Sequence, residues 1–316
     1  MTTVTVATYN LYLGADVSVL FDAGSVEELA MSVRQVREQL DTTHFPERAG
    51  ALARLFARER IDVVGLQEVT RWSTSPILAD GSLGPTEVIS DFLPELLTAL
   101  EEAGTPYDAH AVTTNFHGAL PVDAETWMGI EGANALLVRR DGPVLVTAER
   151  TRPFGYVFEV ETGLDGVSFP IHRSYGWADA ECDGRAFRVV NAHTEAYGDK
   201  ARDTQRDELL AAVGDPGVPV VIGGDFNTTP DAVGIGAPYL DAWLAAGGDP
   251  KAGATFGQRA DLLNEESTMV ERIDYLFVRD AEVVECQVVG VSAGDRTSPH
   301  GLWPSDHAGV VARIEF

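Results

Sequence analysis

Six short apolar runs, spread from Val4 to Val311, each lead into, enclose or directly follow an asparagine, a carboxylate or a histidine. Val6-Ala7-Thr8-Tyr9 leads to Asn10, Val63-Val64-Gly65-Leu66-Gln67 to Glu68, and Val189-Val190-Asn191-Ala192 to His193. Val220-Val221-Ile222-Gly223-Gly224 runs into Asp225 and, two residues on, Asn227. Asp274 interrupts Arg272-Ile273-Asp274-Tyr275-Leu276-Phe277-Val278, and Asp306-His307 stands before Ala308-Gly309-Val310-Val311. Short runs rich in β-branched residues read as buried strands. Ionisable groups beside such strands are costly unless a metal or a proton transfer uses them. Singly, each has a plain reading as a turn residue or a hydrogen-bonded core histidine. Six in one chain point to a shared site.

Between these strands the pattern changes period. Val26–Leu40, Glu47–Arg60, Phe92–Ala103 and Lys200–Val213 carry apolar residues at helical spacing, with Pro46 placed to open the second helix and Gly104 to stop the third. Further strands are predicted over Ala133–Arg139, Val144–Arg150, Gly176–Glu181, Ala186–Ala192 and Val283–Val289, and Asp183-Gly184 reads as the turn of a hairpin. Strands interleaved with amphipathic helices suit an α/β or α+β layered domain. Two stretches fit no element, Arg71–Ser90 and Thr113–Gly132, and are read as long loops suited to substrate selection. No repeat or low-complexity linker divides the chain, so residues 1–316 are expected to form one domain.

Composition narrows the function classes. Acidic residues number 49 and basic residues 23, a formal charge of −26, with only Lys200 and Lys251 as lysines and the arginines dispersed. Proteins that neutralise many nucleic-acid phosphates usually show a basic face, so the charge counts against tight duplex-DNA binding. No apolar run approaches the roughly 18 residues of a membrane span. Met1–Ala7 lacks the basic and long apolar regions of an export signal, so the expectation is a cytoplasmic protein, monomeric by default. Cys182 and Cys286 match no metal-ligand spacing and read as free thiols.

Carboxylates and asparagines at strand ends, with no His-x-x-x-His and no cysteine cluster, favour a hard cation such as Mg2+ or Mn2+ over zinc. The chemistry that fits is metal-assisted phosphoryl transfer to water.

The blocks Thr8-Tyr9-Asn10-Leu11, Leu66-Gln67-Glu68-Val69, Asn191-Ala192-His193-Thr194, Gly223-Gly224-Asp225-Phe226-Asn227, Arg272-Ile273-Asp274-Tyr275 and Ser305-Asp306-His307 resemble those of the endonuclease/exonuclease/phosphatase superfamily, in its order and over nearly the whole chain. The resemblance implies a four-layer α-β-β-α sandwich, two mixed sheets flanked by helices, with the site at one edge. It implies that Glu68 is the principal metal ligand, with Asn10 and Asp306 completing or supporting the metal site. Asp225 would orient or deprotonate the attacking water. Asn227 and His193 would donate hydrogen bonds to phosphate oxygens, and His307, held in its tautomer by Asp274, would contact the scissile phosphate. Arg173, in His172-Arg173-Ser174-Tyr175, is a further candidate for a phosphate oxygen. Trp303 reads as packing, and His44, His110, His117, His172 and His300 match no motif.

Within this resemblance Thr194-Glu195-Ala196 is closer to the DNase I and sphingomyelinase branches than to abasic-site enzymes. The charge favours a small phosphoester or a lipid head group as substrate. A nuclease of the same fold is the alternative, and a silent binding module is disfavoured because metal ligand, base and histidine pair are all present.

Overall fold

A computed structural model describes residues 2–164 and 166–316. In chain order the strands are β1 (Thr3–Asn10), β2 (Val63–Pro76), β3 (Glu87–Asp91), β4 (Tyr107–Pro121), β5 (Thr126–Arg139), β6 (Val144–Pro153), β7 (Phe158–Glu161) and β8 (Ser168–Ile171). They continue with β9 (Ser174–Cys182), β10 (Arg185–His193), β11 (Val220–Asp225), β12 (Leu240–Asp241), β13 (Asp274–Arg279), β14 (Glu282–Val289) and β15 (Gly309–Glu315). The helices are α1 (Val26–Thr43), α2 (Phe45–Glu59), α3 (Phe92–Glu102), α4 (Asp199–Val213) and α5 (Ala242–Ala245).

Local chemistry sets the element ends. Ser25 caps α1 by accepting from the Glu28 N–H at 3.1 Å, and Pro46 opens α2 where its missing N–H is harmless. Asp183 and Gly184, at φ 51° and 76°, close the β9–β10 hairpin as an Asp-Gly turn requires.

Two sheets face each other. One has the order β14-β15-β1-β2-β5-β4 with β3 on β2, the other β12-β13-β11-β10-β9-β6. Each is antiparallel except for one parallel pair, β1 with β2 and β10 with β11. Alternation along the strands sorts the core into layers. Ala7, Tyr9 and Leu66 point at α1, α2 and α3. Val4, Val6, Val189 and Val221 pack between the sheets. Val190 and Ile222 meet Leu209 and Val213 of α4. This is the predicted α-β-β-α sandwich.

A buried polar link crosses the sheet interface. Gln67 Nε2 donates to Asn191 Oδ1 at 2.6 Å, and Asn191 Nδ2 donates to the carbonyls of Leu66 and Ala135, both at 2.9 Å.

Two sequence expectations need correction. Arg71–Ser90 and Thr113–Gly132 are not long loops. Arg71 to Pro76 pair antiparallel with Glu131 to Thr126, and Thr113 to Pro121 pair with Asn134 to Trp127, so half of the first stretch and most of the second is strand. Glycine and threonine hid the alternation, because one face of these strands rises above the core. Likewise the strand read from the run Val63–Gln67 does not end at Glu68: β2 passes through a bulge there and continues to Pro76.

Candidate active site

The parallel pairs aim their carboxyl ends at one edge of the sandwich, where strand order reverses and ligands commonly bind. Asn10 ends β1 and Glu68 sits in the bulge of β2, while His193 and Asp225 end β10 and β11 in register with each other. Gly224 allows that last pairing, since a Cβ there would lie 2.0 Å from the Ala192 carbonyl oxygen. Glu68 and Asn227 both hold left-handed backbone, at φ 55° and 49°, a strained conformation that turns their side chains toward the cleft.

Asp225 is the hub. Its Oδ2 accepts from Asn10 Nδ2 at 2.9 Å across the sheet interface, and its Oδ1 accepts from the Asn227 N–H at 2.8 Å. The same Oδ2 lies 3.5 Å from His193 Nε2 and 3.8 Å from His307 Nε2. Burial, then the Asp274 carboxylate directly opposite on β13, push Asp225 up to about 6.

The two histidines are tuned apart. His193 is buried, and its desolvation, reinforced by the Arg173 guanidinium 3.0 Å from Nε2, holds it well below 6.5 and therefore neutral. Burial acts the same way on His307, but Asp274, Asp306 and Asp225 outweigh it and hold the ring well above 6.5. Its Nδ1 donates to Asp274 Oδ2 at 2.9 Å. Among the described residues Asp274 Oδ1, which is buried, has no hydrogen-bond partner.

Beside this pair lies a carboxylate cluster. Glu68 Oε2 accepts from the Leu13 N–H at 2.8 Å, and burial raises its proton affinity despite His307 and Arg173. Asp306 is pushed up to about 7 by burial and by Glu68, against the pull of His307 and Arg48. Half-buried carboxylates whose proton affinity is raised by burial and by a neighbouring carboxylate fit a hard divalent cation, which needs oxygen donors and would remove the repulsion. Asp225, Asp274 and His307 also bring ligand atoms within 4.8 Å of one another. In that trio His307 Nδ1 is already engaged by Asp274 Oδ2 at 2.9 Å.

All nine residues singled out in the sequence, Asn10, Glu68, Arg173, His193, Asp225, Asn227, Asp274, Asp306 and His307, meet here. Seven line the cleft, while Asn10 and Asp274 bond to Asp225 and His307 from behind. Trp303 lies in the core, its Nε1 donating to the Asn264 carbonyl.

Several neighbours were missed. Glu195, fully buried, sits 3.7 Å from Arg173 Nε and orients the guanidinium; its place just after the His193 block was the available signal. Tyr12, Phe116, His172, Tyr197 and Phe256 line the cleft with no motif to mark them. Arg48, on α2, is buried and among the described residues has no carboxylate partner. It donates to the carbonyls of Thr43, Leu11, Tyr12 and Pro304, at 2.9, 2.6, 3.3 and 3.0 Å, and burial lowers it to about 10. It thereby ties the segment after Asn10 to the segment before Asp306. Both cysteines are free.

The fold and the site together define a metal-dependent phosphoester hydrolase of the sandwich class. Residues 7–307 match the model of the Endonuclease/Exonuclease/phosphatase family, and the chain belongs to that family. No curated protein matches it. Among solved structures it is similar to truncated Caenorhabditis elegans TDP2, at 18% identity and TM-score 0.61 over 99% of this chain and 98% of that one. It is also similar to a Bacteroides thetaiotaomicron mannosyl-6-phosphatase, at 19% identity and TM-score 0.57 over 99% and 100%. A third is D. rerio TDP2 complexed with single-strand DNA product, at 15% identity and TM-score 0.59 over the full length of both. At these identities the likeness is one of fold.

Proposed function

We propose that the chain hydrolyses a small or amphiphilic phosphoester by attack of a water molecule that Asp225 orients and deprotonates. The carrying observation is the placing of two buried imidazoles, His193 and His307, 3.5 and 3.8 Å from Asp225 Oδ2, in surroundings that lower the proton affinity of the first and raise that of the second. Glu68 and Asp306, with Asn10 in support, would hold one divalent cation, Mg2+ or Mn2+, which supplies charge neutralisation at the phosphate. His193 and Asn227 donate hydrogen bonds to phosphate oxygens as charge develops. Arg173, held by Glu195, adds a fixed cation to the same oxygens. His307, kept protonated by Asp274, stabilises the phosphate or gives its proton to the leaving oxygen.

A nuclease is the second reading, favoured by the TDP2 likeness with its DNA product. Against it, Arg173 is the only arginine or lysine among the described residues lining the cleft. Strand-tracking enzymes use a row of cations.

The test is hydrolysis of bis-p-nitrophenyl phosphate, p-nitrophenyl phosphate and plasmid DNA in Mg2+, Mn2+ or EDTA. Turnover of a nitrophenyl ester, lost in EDTA and in Asp225→Ala, is expected. Undiminished turnover in EDTA sinks the reading, and preferential, salt-sensitive plasmid cleavage moves it to the nuclease.

A further inference from the structure

The cleft does not stop at the phosphate-binding residues. It opens into an apolar groove of about 400 Å3, and Val17, Phe21, Phe116, Ile171 and His172 line both spaces. One wall is α1, presenting Val33 and Val36. The floor is the upper part of the first sheet, with Trp72, Leu120 and Met128, and the far wall is β8, with Phe169. Phe21 stands at the junction, its ring 5.9 Å from that of Phe169 on one side and 5.9 Å from that of Tyr197 on the other.

The chemistry of the groove is unlike the rest of the surface. Among the described residues seventeen line it and none is Asp, Glu, Lys or Arg, in a chain whose residues are 23% charged. Side chains do not fill it, so water must wet an apolar surface there, which is unfavourable until an apolar group displaces it. Its volume lies within the range of small-molecule sites, about 300–1,000 Å3.

The groove is also held in fixed relation to the carboxylates. Trp72 Nε1, on the groove floor, donates to the Leu13 carbonyl at 2.7 Å, and the Leu13 N–H donates to Glu68 at 2.8 Å. One residue thus connects the apolar floor to the site proposed for the cation.

We infer that the groove seats an apolar substituent of the substrate, so that the enzyme acts on an amphiphilic phosphoester: a phosphate at Arg173, His193 and His307 with an extended apolar group running past Phe21 and Phe116. The inference rests on the phosphoester-hydrolase reading of the cleft. Continuity between the two spaces favours the substrate as occupant over a separate protein partner, because any large ligand placed in the groove would block the phosphate pocket.

Binding of n-alkylphosphonates from ethyl to octyl, measured by titration calorimetry with Mg2+ present and below their aggregation limits, tests this without requiring turnover. Affinity is expected to rise roughly two- to fourfold per added methylene until the groove is filled, on the order of 100-fold from ethyl to octyl. Leu120→Asp, a half-buried position on the floor, is expected to bring the octyl-to-ethyl ratio toward one. That ratio is internally normalised, and the wild-type series stands even if this variant misfolds. Equal binding of ethyl and octyl phosphonates overturns the groove assignment and leaves the hydrolase reading intact. If neither these nor inorganic phosphate binds and no phosphoester is cleaved, the hydrolase reading fails and the groove assignment falls with it.

Discussion

His307 Nδ1 lies 2.9 Å from Asp274 Oδ2, with Phe256 packed on the imidazole at a ring separation of 4.8 Å. This contact fixes the tautomer and the charge of the ring. Asp274→Asn keeps the shape and removes the negative charge, so the histidine loses its proton at lower pH. We expect kcat/KM to fall by about 10²- to 10⁴-fold and the alkaline limb of its pH profile to move to lower pH. A pH profile that does not move would exclude His307 as the titrating group.

Glu68→Gln retains the Leu13 hydrogen bond acceptor and the bulge but deletes a charge from the proposed cation site. The Mg2+ concentration for half-maximal activity is expected to rise at least tenfold, on the order of other metal-site lesions, with unchanged far-ultraviolet circular dichroism. Half-maximal activity at the wild-type Mg2+ concentration would remove Glu68 from the ligand set.

Asp306 and Asp225 bind protons more tightly in the folded state, at about 7 and about 6, than at their ordinary 3.8. Their contribution to stability is therefore fully present below about pH 4 and is lost as pH rises through 6 and 7. A divalent cation held by Asp306 and Glu68 competes with the Asp306 proton and offsets part of the loss. The rise in Tm on adding Mg2+, read by scanning calorimetry against EDTA, should be small at pH 5 and larger at pH 8. An equal rise at both values contradicts the cluster as the binding site.

Gly65→Ala tests the interface between the sheets. A Cβ at Gly65 would lie 2.8 Å from Asn191 Oδ1 and 3.0 Å from its Cγ, and Asn191 is held by Gln67, Leu66 and Ala135. We expect a loss of about 1–3 kcal/mol, seen as a lower urea midpoint at constant m value. A midpoint within error of wild type would mean that the interface yields easily.

What could be read from the sequence was whatever local order encodes. Apolar runs ending in Asn10, Glu68, His193 and Asp225 announced both the strands and the residues at their ends, because a buried strand and its terminal polar group are neighbours in sequence. The family blocks supplied the sandwich, which periodicity alone left open. Pairing at long range was not legible. The hairpin over 107–139 joins β2 through partners some fifty or more residues apart, and its glycines and threonines mask any alternation. Glu68 looked like the end of a strand because a bulge and left-handed backbone imitate one. Arg48 looked like an ordinary helix arginine, and its four carbonyl partners come from three separate segments. The apolar groove likewise exists only where α1, the first sheet and β8 converge.

Strand β15 lies between β14 and β1, and Asp306 and His307 immediately precede it. During synthesis the chain therefore emerges with β1 lacking its neighbour on that side and the cleft without two of its acidic and basic groups. No nascent length short of residue 307 holds the whole proposed set, and the pairing of β15 with β1 and β14 follows directly on those two residues. A cut before Asp306 would spare Glu68, His193 and Asp225 yet remove a proposed cation ligand and its neighbouring imidazole together.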